Sequence, residues 1–110
     1  MSEENQIKED RRVFERFPVT LAVNLLDLDA GKELEASTCD ISAKGLGVVS
    51  QEYLTPGNRL ELWLKIKDGK EPLYTKGTVM WTGEQEAGKY RAGISLERAE
   101  LMGMSRIFRS

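Results

Sequence analysis

The sequence predicts an all-β fold, a small six-stranded antiparallel β-barrel finished by a short C-terminal helix. Three observations carry this. Apolar and polar residues alternate with a period of two in one short run after another. Gly, Pro, Asn and Asp punctuate the runs at close intervals. Near the end the apolar spacing changes from two to that of a helix. Short strands joined by tight turns, without helices between them, point to an antiparallel barrel.

The order of elements follows from those signals. Met1 to Asp10 (MSEENQIKED) is polar and reads as a flexible lead-in. Phe17-Pro18 opens the folded part. Val19, Leu21, Val23 and Leu25 then share one face of a first strand. Asp27 to Lys32 (DLDAGK) is a turn, and Glu33 to Ile41 is its hairpin partner. Leu46 to Val49 forms the next strand, and Thr55-Pro56-Gly57-Asn58 a turn. Leu60, Leu62, Leu64 and Ile66 give the clearest alternation in the chain, closed by the turn Asp68-Gly69-Lys70. Leu73 to Trp81 is a strand, Gly83 to Lys89 a turn, and Tyr90 to Leu96 the last strand, with Tyr90, Ala92, Ile94 and Leu96 on one face. Leu101, Met104 and Phe108 recur at helical spacing, which predicts a helix over 97–108.

Composition narrows the function. The chain has 110 residues, enough for one domain with its own core. Histidine is absent and Cys39 is the only cysteine. That excludes intramolecular disulfides, Cys/His zinc sites, and nucleophiles activated by histidine. No constellation of carboxylates or lysines replaces them, so the chain is read as not an enzyme and as needing no cofactor or metal. No apolar run approaches the roughly 20 residues of a membrane span, and the polar N-terminus does not resemble a signal peptide. A cytoplasmic protein without membrane insertion is expected. The formal net charge of −2 argues against a protein that coats DNA or RNA.

Two stretches stand out from this background. Arg11-Arg12-Val13-Phe14-Glu15-Arg16 gathers guanidiniums just before the first strand. Arg is a permanently charged planar fork suited to phosphates and guanine edges. Asp40-Ile41-Ser42-Ala43-Lys44-Gly45 ends the second strand. A continued two-residue period would turn Asp40 and Ser42 outward and Ile41 into the core. Gly45 would permit a positive-φ turn or a close backbone approach. Together the stretches read as one site for an anionic nucleotide. The bland alternatives are a solvated Arg cluster, a turn stabilised by Asp40 and Ser42, and a glycine needed only for backbone geometry. Trp63 and Trp81 read as packing or barrel-surface residues, and Cys39 as a small core residue.

With both stretches in place, the sequence resembles the PilZ domain family. That family carries an RxxxR element before its first strand and DxSxxG at the end of its second. Arg12 to Arg16 fits the first element and Asp40 to Gly45 the second. Arg11 supplies the extra preceding Arg of many members. Gly77-Thr78-Val79-Met80-Trp81 and Tyr90-Arg91-Ala92-Gly93-Ile94 resemble the later strands. Ser95-Leu96 departs from the pattern where many members have Phe, a change expected to alter core packing rather than the site.

The resemblance implies a split-barrel-like fold that binds the second messenger cyclic di-GMP, with Arg11, Arg12, Arg16, Asp40, Ser42 and Gly45 as ligand-binding residues. Arg11 implies a stacked ligand dimer. It further implies a sensor whose Arg arm orders on the ligand and signals to an unidentified partner protein in motility, exopolysaccharide or biofilm control. A nucleotide-independent adaptor of the same fold is the alternative. A barrel for single-stranded nucleic acid would need a basic groove with several exposed aromatics, and the composition offers little of either.

Overall fold

Among the described residues, period-two alternation is realised as seven antiparallel strands in one sheet. The computed structural model describes residues 17–42 and 45–97. The strands are β1 (Phe17–Pro18), β2 (Ala22–Asp27), β3 (Lys32–Ile41), β4 (Gly45–Ser50), β5 (Arg59–Leu64), β6 (Leu73–Glu86) and β7 (Lys89–Leu96). Their order is β1-β3-β2-β5-β6-β7-β4, and a further β3–β4 pairing closes the sheet on itself. Closure of β2 to β7 gives the expected six-stranded barrel, while β1 is a short addition beside the far end of β3. A closed barrel leaves few strand edges unpaired.

Inward positions supply the core. Leu21, Val23 and Leu25 point in from the first run, and Leu60, Leu62, Leu64 and Ile66 from the fifth strand and its end. Leu46, Val48, Val79, Ala92 and Ile94 complete the wall, and Leu54 enters from the loop before β5. Each fully buried aliphatic side chain contributes about 1.5–3 kcal/mol relative to exposure. Leu96, which stands where the resemblance leads one to expect Phe, packs against this cluster.

The structure departs from the predicted elements in three places. The expected first strand is two, because the ladder breaks between β1 and β2. Thr38 braces the break: its hydroxyl donates to the Val19 carbonyl (2.6 Å) and accepts from the Leu21 amide (2.8 Å). Second, β6 runs on to Glu86, through the segment expected as a turn. The actual turn is Ala87-Gly88, with Gly88 at φ 80°. Gly83 to Glu86 has weak strand propensity, but pairing with Lys89 to Arg91 of β7 overrides it. Third, β5 stops at Leu64, so Ile66 is buried from outside the strand. The lead-in, the Arg11 to Arg16 stretch and all but Glu97 of the helix expected over 97–108 lie outside the described residues.

Buried Asp27 ties two loops together. Its carboxylate accepts from the amides of Asp29 (3.1 Å) and Ala30 (3.0 Å) and from Asn58 Nδ2 (3.1 Å). A buried carboxylate is tolerable only when satisfied in this way. Nearby, Asp29 grips Arg59 at 2.9 Å.

Candidate functional site

The outer surface of β3, β4, β7 and β6 carries a row of residues in register. Asp40 pairs with Gly47, Gly47 with Gly93, and Gly93 with Trp81. Two β-bulges frame the row. One falls between Thr38 and Asp40, the other between Val79 and Trp81. A bulge inserts one unpaired residue and re-aims its neighbours. Here the extra residues are Cys39 and Met80, so Cys39-Asp40 and Met80-Trp81 each depart from strict alternation.

The two glycines form a floor between a carboxylate and an indole. A Cβ on Gly47 would stand 3.0 Å from both Asp40 Oδ1 and Cys39 Sγ. A Cβ on Gly93 would collide with the Trp81 ring. The Asp40 carboxyl and the Trp81 indole thus lean in over backbone that has no side chains of its own. Trp81 remains 48% exposed, which leaves much of its surface open to a ligand.

Arg91 completes the cluster. It lies on β7 opposite Val49 of β4 and reaches diagonally across to Asp40, donating Nη2–H to Oδ2 at 2.8 Å. The Asp40 side chain is 13% exposed and that of Arg91 48%. Cys39 Sγ is 3.8 Å from the same Asp40 oxygen. Loss of solvation, and then the neighbouring Asp40 charge, push the Cys39 thiol above its ordinary range. Cys39 is therefore a partly buried neighbour of the site, not the core residue expected.

The predicted site residues meet different fates. Asp40 is on the outer face, as alternation implied. Ser42 is buried, just past the end of β3, where the strand period no longer applies. Its amide donates to the Gly45 carbonyl at 2.8 Å and its hydroxyl to the same oxygen at 3.3 Å, which closes the β3–β4 hairpin. Gly45 lacks a positive φ. Its need is close approach, because a Cβ there would lie 2.5 Å from the Ile94 carbonyl oxygen of β7. Arg11, Arg12 and Arg16 lie outside the described residues. The described chain begins at Phe17, and β1 pairs Phe17 with Ile41 and Pro18 with Asp40.

Sequence reasoning missed Arg91 and gave Trp81 no role. Alternation already placed Arg91 opposite Tyr90 and Ala92, hence outside. Its partner depends on inter-strand register, which a single sequence does not print. Among the described residues no group of His, Cys, Asp or Glu is gathered to hold a metal, and no helix is long and apolar enough to cross a membrane.

The arrangement suits a flat, polar, anionic ligand: an indole for stacking, a carboxylate for ring N–H donors, a guanidinium beside it, and a floor open to close approach. The sequence matches the PilZ domain family over residues 10–108. The chain belongs to that family.

No curated protein matches this PilZ chain. Among solved structures it is similar to the inhibitor of motility MotI/DgrA of Bacillus subtilis, with TM-score 0.69 and 17% identity over 90% of this chain and 49% of that one. It is also similar to the PilZ domain of YcgR from Escherichia coli, solved with c-di-GMP, with TM-score 0.69 and 13% identity over 90% of this chain and 87% of that one. A third is the PilZ domain of CeSA from a cellulose-synthesizing bacterium, with TM-score 0.63 and 18% identity over 86% and 92%. At these identities the likeness is one of fold. This chain spans about half the length of the Bacillus protein.

Proposed function

We propose that this PilZ domain is a cyclic di-GMP receptor that acts without catalysis. One observation carries the reading: β1 fastens the chain immediately after Arg16 to the strand end that displays Asp40. Residues four or fewer positions upstream of Arg16 are then within about 3.3–3.6 Å per residue of that end. Family membership and a neighbour solved with c-di-GMP support the choice of ligand.

The roles follow from the chemistry. Arg12 and Arg16 donate to guanine O6 and N7 or to phosphate oxygens. Arg11 adds a further cation for a second, stacked ligand molecule. Asp40 accepts from guanine N1–H and N2–H₂, a pair that adenine does not offer. Ser42 belongs to the site through the turn it fixes, and Gly45 through the close β4–β7 contact beneath it. Trp81 is a wall on which a purine stacks, a contact worth about 1–3 kcal/mol per base in alanine substitutions. Closure of the Arg arm over the ligand changes the surface offered to a downstream protein in the cytosol, in motility, exopolysaccharide or biofilm control.

Calorimetric titration tests the reading. Wild type is expected to bind, and Arg12→Ala, Arg16→Ala and Asp40→Ala each to lose about 1–3 kcal/mol, the discrimination typical of one bidentate base contact. Absent heat with wild type, or unchanged affinity in all three folded variants, would reject it.

A further inference from the structure

We infer that the outer face of β2 is a docking trough for an extended segment of a partner protein that carries two arginines at alternate positions. This trough lies on the wall of the barrel opposite the proposed nucleotide site, because β2 and β7 stand three places apart in either direction around the closed sheet. It is a second surface, and it does not depend on which ligand the first one takes.

Small residues on β2 between taller neighbours create the trough. Asn24 pairs with Glu35 of β3 on one side and with Trp63 of β5 on the other, and Ala22 precedes it on the same face. An open groove of about 560 Å³ lies over Asn24, with Glu33 and Glu35 along one wall and Trp63 on the other. It continues for about 450 Å³ past Ala22 to Lys65.

The aromatic wall is braced from behind. Trp63 pairs with Tyr74 of β6, and the two rings pack at 5.3 Å with a tilt of 50°. Tyr74 Oη donates to Glu61 Oε2 at 2.7 Å, which holds the outer ring and engages that carboxylate. Glu33 and Glu35 are exposed, and among the described residues they hold no ion pair.

An indole held across a narrow floor from a carboxylate suits a guanidinium, which stacks on the ring and donates from its edge. Glu33 and Glu35 project to the same side of β3, about 6.6–6.8 Å apart. An extended segment presents every second side chain at that same spacing. Beyond Ala22 the sign reverses at Lys65, whose amide donates to the Ala22 carbonyl at 2.9 Å. Along the trough the charges thus run positive, negative, negative. They select a segment that reads acidic, arginine, arginine at alternate residues, and complementarity of this kind fixes register. The Trp63–Tyr74 pair would steady the sheet with or without a partner, so the test turns on the charges.

Two peptides of one composition separate spacing from charge. Ser-Glu-Thr-Arg-Thr-Arg-Ser and its isomer Ser-Glu-Thr-Thr-Arg-Arg-Ser are titrated into the protein and followed by amide NMR. The first is expected to shift amides of β2, β3 and β5 and the Trp63 indole N–H saturably, with Kd near or below about 1 mM. Its isomer should bind about tenfold more weakly, the loss of one charge-assisted hydrogen bond. The double variant Glu33→Lys/Glu35→Lys, shown to be folded by thermal unfolding, should lose the first peptide and keep its cyclic di-GMP affinity within about twofold.

Equal binding of the two peptides, binding that survives charge reversal, or no saturable shift would overturn the inference. Shifts at these positions that grow with protein concentration alone would mean that a second copy of this chain fills the trough, and would overturn the choice of partner. Failure of wild type to bind cyclic di-GMP would overturn the receptor reading only.

Discussion

At the level of single residues, Cys39 is the most direct reporter on the site. Its thiol is raised mainly by lost solvation and next by the Asp40 charge, while Arg91 pulls the other way. The thiolate is the reactive form. Alkylation by iodoacetamide is therefore expected to be slow at neutral pH and to accelerate as pH climbs toward the raised pKa. Asp40→Asn removes a raising influence and leaves the Arg91 charge beside the thiol, so its alkylation rate at pH 8 should exceed that of wild type. Equal rates in mass-spectrometric time courses would show that the Asp40 charge is not felt at Cys39. The sequence told part of this local story. Alternation put Asp40 outside and Ile41 inside, and both are so. It did not show that Ser42 is buried, because β3 ends at Ile41 and a period of two says nothing beyond the last paired residue. It misread Cys39 because a bulge shifts the count by one, and no residue type marks that bulge.

At the level of elements, the barrel was legible and its irregularities were not. Turn residues and apolar alternation fixed where β2, β3, β4, β5 and β7 run. The break at 19–21, the length of β6 and the row Asp40, Gly47, Gly93, Trp81 come from register between strands distant in sequence. Glycines on this surface divide by what their missing Cβ would strike. At Gly45 it meets the Ile94 carbonyl at 2.5 Å, which is backbone of the neighbouring strand and can yield only by opening the β4–β7 ladder. At Gly93 the nearest atoms it meets belong to the half-exposed Trp81 ring, a side chain that can swing away. Gly45→Ala is thus expected to cost about 1–3 kcal/mol in urea denaturation, as overpacking does. Gly93→Ala should cost less and instead shift Trp81 emission, read in a Trp63→Phe background, and weaken nucleotide binding. Equal destabilisation by the two would mean that Trp81 is held as rigidly as backbone.

For the molecule as a whole, stability and ligand capture meet at Thr38. This buried side chain lies beneath the surface on which the ligand is proposed to sit, yet its hydroxyl spans the break between β1 and β2 by serving Val19 and Leu21 together. The same contact lies beside the place where β1 pairs with Ile41 and Asp40. Thr38→Val preserves shape but leaves the Leu21 amide without that acceptor and the Val19 carbonyl without that donor. A cost of about 1–3 kcal/mol is expected for such unsatisfied groups. Hydrogen exchange should show the loss concentrated around β1 rather than spread through β5 and β6, whose ladder does not involve Thr38. If β1 is the anchor of the arm, its release lengthens the tether and lowers the effective concentration of guanidiniums at Asp40. Cyclic di-GMP affinity should then fall by about three- to tenfold under conditions where the barrel is still fully folded, although Thr38 itself presents nothing to the ligand. Unchanged affinity in a variant with demonstrably weakened β1 protection would mean that the Arg stretch finds Asp40 by some route other than this short strand.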